Sequence, residues 1–183
     1  MKPHSIFIYG SLMAPQVVEV LLGRIPEQIT AARLAHYSRY PVKGQVFPAI
    51  IPGKADGGEK SAAGVTGVIL FGLSDGERKA LDWFEDVEYQ RTPVQVSYVT
   101  KPTMSDGHPD VDDSGSSSSN ENQLKMERLD TEAYVWANPL SELELGKDWS
   151  FQTFQEQHLD WYLENVVKPC REEIDQGYHL EEN

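Results

Sequence analysis

The chain has 183 residues, of which 39% are hydrophobic, and carries a formal net charge of −13 at pH 7. This length suits a single domain with a sizeable core. An acidic chain without a basic patch argues against nucleic-acid binding, and no cluster of Lys or Arg suggests attachment to an anionic membrane.

The chain's single cysteine, Cys170, excludes an intrachain disulfide and favours a reducing compartment. It lacks a neighbouring base that would activate it as a nucleophile. The N-terminal residues lack the apolar core of a signal peptide, and no apolar run approaches the ~20 residues of a membrane helix. We therefore expect a soluble, cytoplasmic protein.

The N-terminal region predicts a strand, a tight turn and a helix. Ser5–Tyr9 is apolar and rich in β-formers, Gly10-Ser11 interrupts it, and Pro15 is well placed to begin a helix that ends at Leu22. The N–H groups of such a turn, together with the helix N-terminus, form a site for an anion or oxyanion. Alternatively, the glycine serves only steric needs.

Three strands are predicted in the next part of the chain. Residues 29–40 alternate loosely and predict one strand, and residues 45–51, interrupted by a proline, predict an edge or bulged strand. Residues 64–73 form the strongest strand pattern, and their nearly continuous apolar character predicts burial on both faces. Gly67 and Gly72 suggest curvature or close backbone approach in this strand.

A short helix is predicted to end at Glu85. Ser74 and Glu77 have the spacing of a capping box, which places the helix start there. Glu85 lies four residues after Leu81, on nearly the same face, so its carboxylate is predicted to point inward. Two alternatives remain: a surface Glu at a helix end, and a Glu paired with Arg91.

A β-hairpin with a long polar insertion is predicted next. Residues 89–100 alternate as a strand, and residues 132–137 resume the pattern and are expected to pair with residues 90–100. The segment between them, about residues 102–123, is rich in Ser and Asp and is predicted to be disordered. It is either a passive loop or a phosphorylated regulatory loop.

A C-terminal helix is predicted over about residues 149–168, because aromatic and aliphatic residues recur there at helical spacing. Pro169 is expected to end or kink it. Its aromatic stripe is expected to dock on the domain's own core, and the alternative is a dimer or lid surface. A protein partner or a homodimer through this helix is therefore an open expectation.

The whole pattern predicts an α+β fold. Sequential strands joined by hairpins, with few crossover helices, favour an antiparallel or mixed sheet that closes on itself. We expect a small closed mixed β-barrel with flanking helices, forming one domain over residues 1–183. A Rossmann fold is excluded, since Gly10 has no further glycines at the required spacing.

Common catalytic motifs are missing from the sequence. There is no Walker loop and no Gly-x-Ser-x-Gly elbow, and no pair of histidines has zinc-binding spacing. The five histidines are His4, His36, His108, His158 and His179. What remains is the turn near Ser11 and an inward Glu85, a combination suited to removing a proton beside an oxyanion or carboxylate cradle.

Two motifs in this order carry a resemblance to a known family. The first is Tyr9-Gly10-Ser11-Leu12, and the second is Leu81-Asp82-Trp83-Phe84-Glu85 followed by Tyr89-Gln90-Arg91 and Val94-Gln95-Val96. Together they resemble the gamma-glutamylcyclotransferase-like family, and within it the plant avirulence-induced-gene branch. The resemblance covers about residues 6–135 apart from the polar insertion, and the C-terminal helix resembles an extension of that branch.

The resemblance implies a small barrel enzyme that converts a γ-glutamyl amine, amino acid or peptide to 5-oxoproline and a free amine. Glu85 matches the family's acid/base residue and would take a proton from the substrate α-ammonium. The loop would bind the γ-glutamyl group, and N–H groups near Gly10–Met13 would hold the α-carboxylate or the developing oxyanion. The loop residues are Tyr9, Gly10, Ser11, Leu12, Met13 and Ala14. No metal or organic cofactor is implied.

Two pairs of alternative interpretations stay open. Tyr89, Arg91 and Tyr134 line or orient the site, or they serve only cross-strand packing. The chain is an enzyme, or it is a non-catalytic module that binds a small γ-glutamyl-like or carboxylate ligand and contacts a partner.

Overall fold

Five strands close into a small barrel that mixes parallel and antiparallel pairing. The computed structural model describes residues 4–53, 64–100 and 125–178. In chain order the strands in these ranges are β1 (His4–Ile8), β2 (Gln28–Leu34), β3 (Tyr37–Pro41), β4 (Pro48–Pro52), β5 (Val65–Leu73), β6 (Tyr89–Thr100) and β7 (Lys125–Trp136). The barrel order is β1-β5-β2-β6-β7, closed by a parallel β1–β7 pair, while the other neighbours are antiparallel. The predicted closed mixed barrel is confirmed.

The helices flank this barrel. They are α1 (Pro15–Leu22), α2 (Asp75–Glu85), α3 (Phe151–Gln157), α4 (Leu159–Tyr162) and α5 (Lys168–Tyr178), with 3₁₀ turns at Ser11–Met13 and Leu140–Glu142 and a π-helical turn at Leu163–Val167. None of them, within the described ranges, is long and apolar enough to span a membrane.

Gly67 permits the close contact between β5 and β1. A Cβ at this position would lie 2.7 Å from Cζ of Phe7 and closer still to the carbonyl oxygen of Ile8. Phe7 is completely buried inside the barrel, where Leu34, Ile69 and Val96 pack around it. The predicted close backbone approach at Gly67 is confirmed.

A second core lies between the barrel and the helices. Leu21 of α1 and Leu81 of α2 are fully buried there. Phe154 and Ile174 of the C-terminal helices join them, each 1% exposed. The C-terminal helices therefore dock on the domain's own core, as predicted.

The single strand predicted over residues 29–40 is wrong. The chain turns at His36, whose φ of 62° lies in the left-handed region, and β3 then leaves the barrel to pair with β4. The turn contains neither Gly nor Pro, so its composition gives no signal. The next strand is also shorter than predicted. It starts at Pro48, because Gln45 donates its N–H to the Val42 carbonyl in a turn.

The predicted end of the C-terminal helix is also wrong. The helix is interrupted at His158, passes through the π-helical turn and continues as α5 to Tyr178. Pro169 lies in the first turn of α5, where its missing N–H is tolerated. Lys168 donates its N–H to the Leu163 carbonyl, the wide register of a π turn.

The long hairpin is confirmed where the structure describes it. β6 and β7 pair over their whole length, from Tyr89 with Trp136 to Thr100 with Lys125. β7 begins seven residues earlier than predicted, because the sequence at residues 125–131 is too polar to show strand burial. The predicted disorder of residues 102–123 lies outside the described residues.

Candidate active site

The end of α2 is held in a defined geometry. The Ser74 hydroxyl accepts the Glu77 N–H at 3.2 Å, and the Glu77 carboxylate accepts the Ser74 N–H at 2.8 Å, so the predicted capping box is confirmed. Immediately after Glu85, Asp86 has a φ of 53° and a ψ of −166°, a conformation that favours glycine. A strained residue here turns the chain sharply out of the helix and leaves Glu85 as its last residue.

Glu85 and the loop after β1 face the same cavity, which has a volume of about 180 Å³. The cavity is walled by the end of β1, the end of α2, the starts of β4 and β6, β7 and the C-terminal helices. Its polar or hydrogen-bonding lining comprises Tyr9, Gly10, Ser11, Glu85, Asp86, Glu88, Tyr89, Tyr134 and Tyr162. Leu12 also lines it. Segments separated by about 150 residues in the chain thus meet around the Glu85 carboxylate.

The Glu85 carboxylate is unpaired within the described ranges. No hydrogen-bond donor or cation contacts it there, and Arg91 instead reaches Asp82 at 2.6 Å. The alternative of a Glu85–Arg91 pair is therefore wrong. Burial, with smaller contributions from the nearby charges of Glu88 and Asp82, raises the pKa of Glu85 to about 8. The residue keeps partial exposure, so a ligand in the cavity can reach it.

The loop after β1 contributes its first residues to the cavity and its last ones to the core. The 3₁₀ turn uses the N–H of Met13, which donates to Gly10, and the N–H of Ala14, which donates to Ser11. Neither Met13 nor Ala14 lines the cavity, and Ala14 is fully buried. The expectation that N–H groups as far as Met13 bind substrate is therefore corrected. Among the described residues, the N–H groups of Ser11 and Leu12 precede the turn's first hydrogen bond and have no acceptor within the turn.

Four tyrosine rings surround Glu85. Burial is the main cause of the raised pKa of each hydroxyl, and the charge of Glu85 contributes in all four. They are Tyr9, Tyr89, Tyr134 and Tyr162. The sequence had suggested Tyr9, Tyr89 and Tyr134. Tyr162, whose hydroxyl lies 3.3 Å from the Ser11 hydroxyl, was seen only as part of an aromatic stripe.

Arg91 lies behind the cavity and does not line it. It contacts Asp82 and Glu132, and Arg78 approaches Glu132 at 2.8 Å from the other side. The Asp82 carboxylate also accepts the Tyr134 hydroxyl at 2.8 Å. Arg91 is thus linked to the cavity wall through Asp82 and Tyr134, and the orienting role considered for it from the sequence stays a prediction.

The chemistry of the lining is that of a polar organic ligand. Among the described residues no group of three or more His, Cys, Asp or Glu side chains could hold a metal ion. The cavity combines the carboxylates of Glu85, Asp86 and Glu88 with several phenol oxygens and the loop after β1. Such a lining suits an amino acid derivative that carries both positive and negative groups.

Comparisons with known proteins agree with this geometry. A sequence model of the family described as Gamma-glutamyl cyclotransferase, AIG2-like, matches residues 6–151. AIG2-like protein D of Arabidopsis thaliana is 39% identical over 171 residues, covering 93% of this chain and 91% of that protein. AIG2-like protein C of the same plant is 36% identical over 165 residues, covering 90% and 77%. The chain therefore belongs to the gamma-glutamyl cyclotransferase, AIG2-like family.

Solved structures support the fold. The solution structure of an Arabidopsis thaliana protein matches with a TM-score of 0.55 and 24% identity, covering 90% of this chain and 79% of the other. The crystal structure of an uncharacterized Homo sapiens protein matches with a TM-score of 0.52 and 14% identity, covering 96% and 88%. At these identities the likeness concerns the fold alone.

Proposed function

We propose that this protein is a gamma-glutamyl cyclotransferase that acts on a γ-glutamyl amine, amino acid or peptide. The observation that carries the proposal is Glu85, a carboxylate without a partner among the described residues and with a pKa of about 8, in a cavity that is also lined by Gly10 and Ser11. A carboxylate with so high a pKa is well matched to receive a proton from an ammonium group. Family membership supports the same reaction.

The reaction follows from this placement. Glu85 takes a proton from the substrate α-ammonium, and the free amine attacks the γ-carbonyl carbon. The new C–N bond closes a five-membered ring, and the C–N bond to the leaving group breaks. The proton held by Glu85 passes to the leaving nitrogen. The attacking nitrogen then loses its second proton through Glu85 to the released amine, so the products are 5-oxoproline and a protonated amine. The N–H groups of Ser11 and Leu12 stabilise the oxyanion or hold the α-carboxylate.

The cavity favours this ring closure through orientation. Both reacting groups belong to one molecule, so the protein needs only to hold the substrate folded. Well-oriented intramolecular reactions gain about 7–11 kcal/mol from this effect. A cavity of about 180 Å³ that surrounds the γ-glutamyl group restricts the substrate in this way.

Release of 5-oxoproline from a panel of γ-glutamyl compounds tests the proposal. The panel contains glutathione, γ-glutamyl amino acids and γ-glutamyl amines. The native protein is expected to release 5-oxoproline from at least one compound. Glu85→Gln is expected to lower kcat about 10²–10⁴-fold, the usual contribution of general acid–base catalysis, because Gln accepts no proton.

Glu127→Gln is the matched control, since Glu127 is also a half-buried glutamate but lies outside the cavity, where it accepts the Tyr98 hydroxyl. It is expected to keep its activity. Turnover by Glu85→Gln at the native rate would contradict the mechanism. Calorimetric binding of a γ-glutamyl compound without any product would favour a non-catalytic binding module instead.

A further inference from the structure

Arg39 of β3 contacts the loop after β1 from outside the cavity. Its Nη1 atom donates to the Tyr9 carbonyl at 2.7 Å and to the Thr66 carbonyl at 3.4 Å. Arg39 does not line the cavity around Glu85. It lines a separate cavity of about 330 Å³, which shares no lining residue with the first. The guanidinium therefore holds the loop from a position outside the space that a substrate beside Glu85 would occupy.

The guanidinium of Arg39 is held in place without an ion pair among the described residues. Arg39 is half-buried, and burial lowers the pKa of its guanidinium, although the nearby charge of Asp148 opposes this shift. The guanidinium lies over the ring of Trp149, 5.2 Å from the centroid, and the Trp149 N–H donates to the Val46 carbonyl at 2.9 Å. Burial of a cation without a paired anion is unfavourable, so a gain in stability does not explain the arrangement.

The contact with Arg39 fixes the direction of the Tyr9–Gly10 peptide. This peptide is trans, and in a trans peptide the C=O and N–H groups point in opposite directions. Because Arg39 holds the Tyr9 carbonyl on its own side, the Gly10 N–H points away from Arg39. Gly10 lines the cavity, and its N–H has no acceptor among the described residues.

The strand paired with β3 also packs against this peptide. A Cβ at Gly10 would lie 3.0 Å from Cδ of Pro48, the first residue of β4, so a larger side chain would push the loop and β4 apart. β3 and β4 pair with each other outside the barrel, and each supplies a contact to the Tyr9–Gly10 peptide.

We propose that Arg39 is a positioning residue that directs the Gly10 N–H into the cavity, where this N–H donates to an oxygen of the γ-glutamyl group. The Gly10 N–H acts there beside the N–H groups of Ser11 and Leu12. This inference rests on the proposed function and adds a residue outside the cavity on which a donor of the loop depends. A hydrogen bond from a charged donor is roughly twice as strong as one between neutral groups, so Arg39 resists rotation of the peptide.

Amide NMR tests the direction of the Gly10 N–H without turnover. The probe is L-γ-glutamyl-n-butylamide, titrated into isotope-labelled Glu85→Gln, which does not consume it. We expect the Gly10 amide signal to move on binding. Arg39→Met, added to this variant, removes the donor and keeps an unbranched side chain against Trp149. It should abolish the movement of the Gly10 signal and weaken binding about tenfold, the size of one hydrogen bond.

Turnover provides a second measurement. With a γ-glutamyl compound that the native protein consumes, Arg39→Met should lower kcat/KM about 10–100-fold. This is less than the 10²–10³-fold cost of deleting an oxyanion-hole donor, because the Gly10 N–H is misdirected and not absent. Arg39→Lys keeps a charged donor on a different side chain, should lose less kcat/KM than Arg39→Met, and tests the same contact if Arg39→Met does not fold.

Arg171→Met is the matched control. Arg171 also donates from Nη1 to a backbone carbonyl, that of Leu21, at 2.7 Å, but it lies outside the cavity. Its replacement is expected to lower the free energy of unfolding in urea while leaving the Gly10 signal, the affinity for the probe and kcat/KM unchanged. A general loss of stability is thereby separated from a misdirected Gly10 N–H.

The outcomes separate this inference from the proposed function. The inference is overturned if Glu85→Gln does not bind the probe, if binding leaves the Gly10 signal unmoved, or if the signal still moves in Arg39→Met. It is also overturned if Arg39→Met retains the native kcat/KM, or if Arg171→Met lowers affinity as much as Arg39→Met. Failure of the native protein to release 5-oxoproline contradicts the proposed function, whereas the NMR comparison does not depend on turnover.

Discussion

Glu85 holds its proton more tightly in the folded chain than in the unfolded one. Burial and the charges of Glu88 and Asp82 raise its pKa from an ordinary 4.5 to about 8. Between these pH values the folded state keeps a proton that the unfolded state has released. The free energy of unfolding therefore falls as pH rises from about 4.5 to about 8.

Glu85→Gln removes this titration. Relative to the native protein, the variant should gain roughly 1–3 kcal/mol of stability between pH 5 and pH 8.5, less than the full pKa difference implies because the carboxylate is reachable by water. Urea denaturation at several pH values measures this gain. Glu127→Gln provides the same chemical change outside the cavity. Parallel stability curves for Glu85→Gln and the native protein would show that the pKa of Glu85 is not raised.

The inward direction of Glu85 could be predicted from its spacing to Leu81, because a helical face is a local property of the sequence. The absence of a partner for the Glu85 carboxylate among the described residues could not be predicted. Arg91 was an equally good candidate for pairing with Glu85 by sequence distance, and only the β6–β7 pairing shows that it is held by Asp82 and Glu132.

At the scale of elements, the strands and helices with strong local signals were predicted. The capping box located the start of α2, and the apolar run of residues 64–73 located β5. The turn at His36 was not predicted, because a histidine with positive φ has no characteristic composition around it. The π-helical turn was not predicted either, because it keeps the apolar spacing of an α-helix while its hydrogen bonds shift by one residue.

Substitution by Ala is expected to change the free energy of unfolding in opposite directions at Gly67 and Gly76. Gly67→Ala should cost at least about 3 kcal/mol, since the new Cβ would clash with the Ile8 carbonyl and the Phe7 ring. Gly76→Ala, in the first turn of α2, should stabilise the chain by about 0.5–1 kcal/mol, because among the described residues the new Cβ would meet no atom of another segment closer than the Ser74 hydroxyl, at 3.9 Å. Chemical denaturation of both variants checks this. A Gly67→Ala protein as stable as the native one would contradict the packing of β5 on β1.

At the scale of the whole molecule, the cavity is made by parts that no local pattern relates. The loop at Ser11 and the helix at Tyr162 meet there, although 151 residues separate them. Tyr162 also packs against Phe84 and Phe154, with centroids 6.3 and 5.3 Å away. In the sequence it resembles any core aromatic, because its role depends on where the C-terminal helices dock.

The barrel and its site could thus be predicted in outline from two motifs and the strand pattern. The wall of the cavity that the C-terminal helices form could not be predicted. It depends on the break in the helix at His158 and on the continuation of the helix past Pro169. The domain's own C-terminal helices complete the cavity, so the segment predicted as a docking helix is also part of the candidate active site.

The pH dependence of 5-oxoproline release tests most directly whether Glu85 is the base. With a γ-glutamyl compound that the native protein turns over, kcat/KM should rise with pH along a limb that corresponds to one proton and inflects near 8, because only the ionised carboxylate can take the ammonium proton. Glu85→Gln should lose this limb together with the activity. An inflection near 4.5, or a limb that survives in Glu85→Gln, would show that another group is the base.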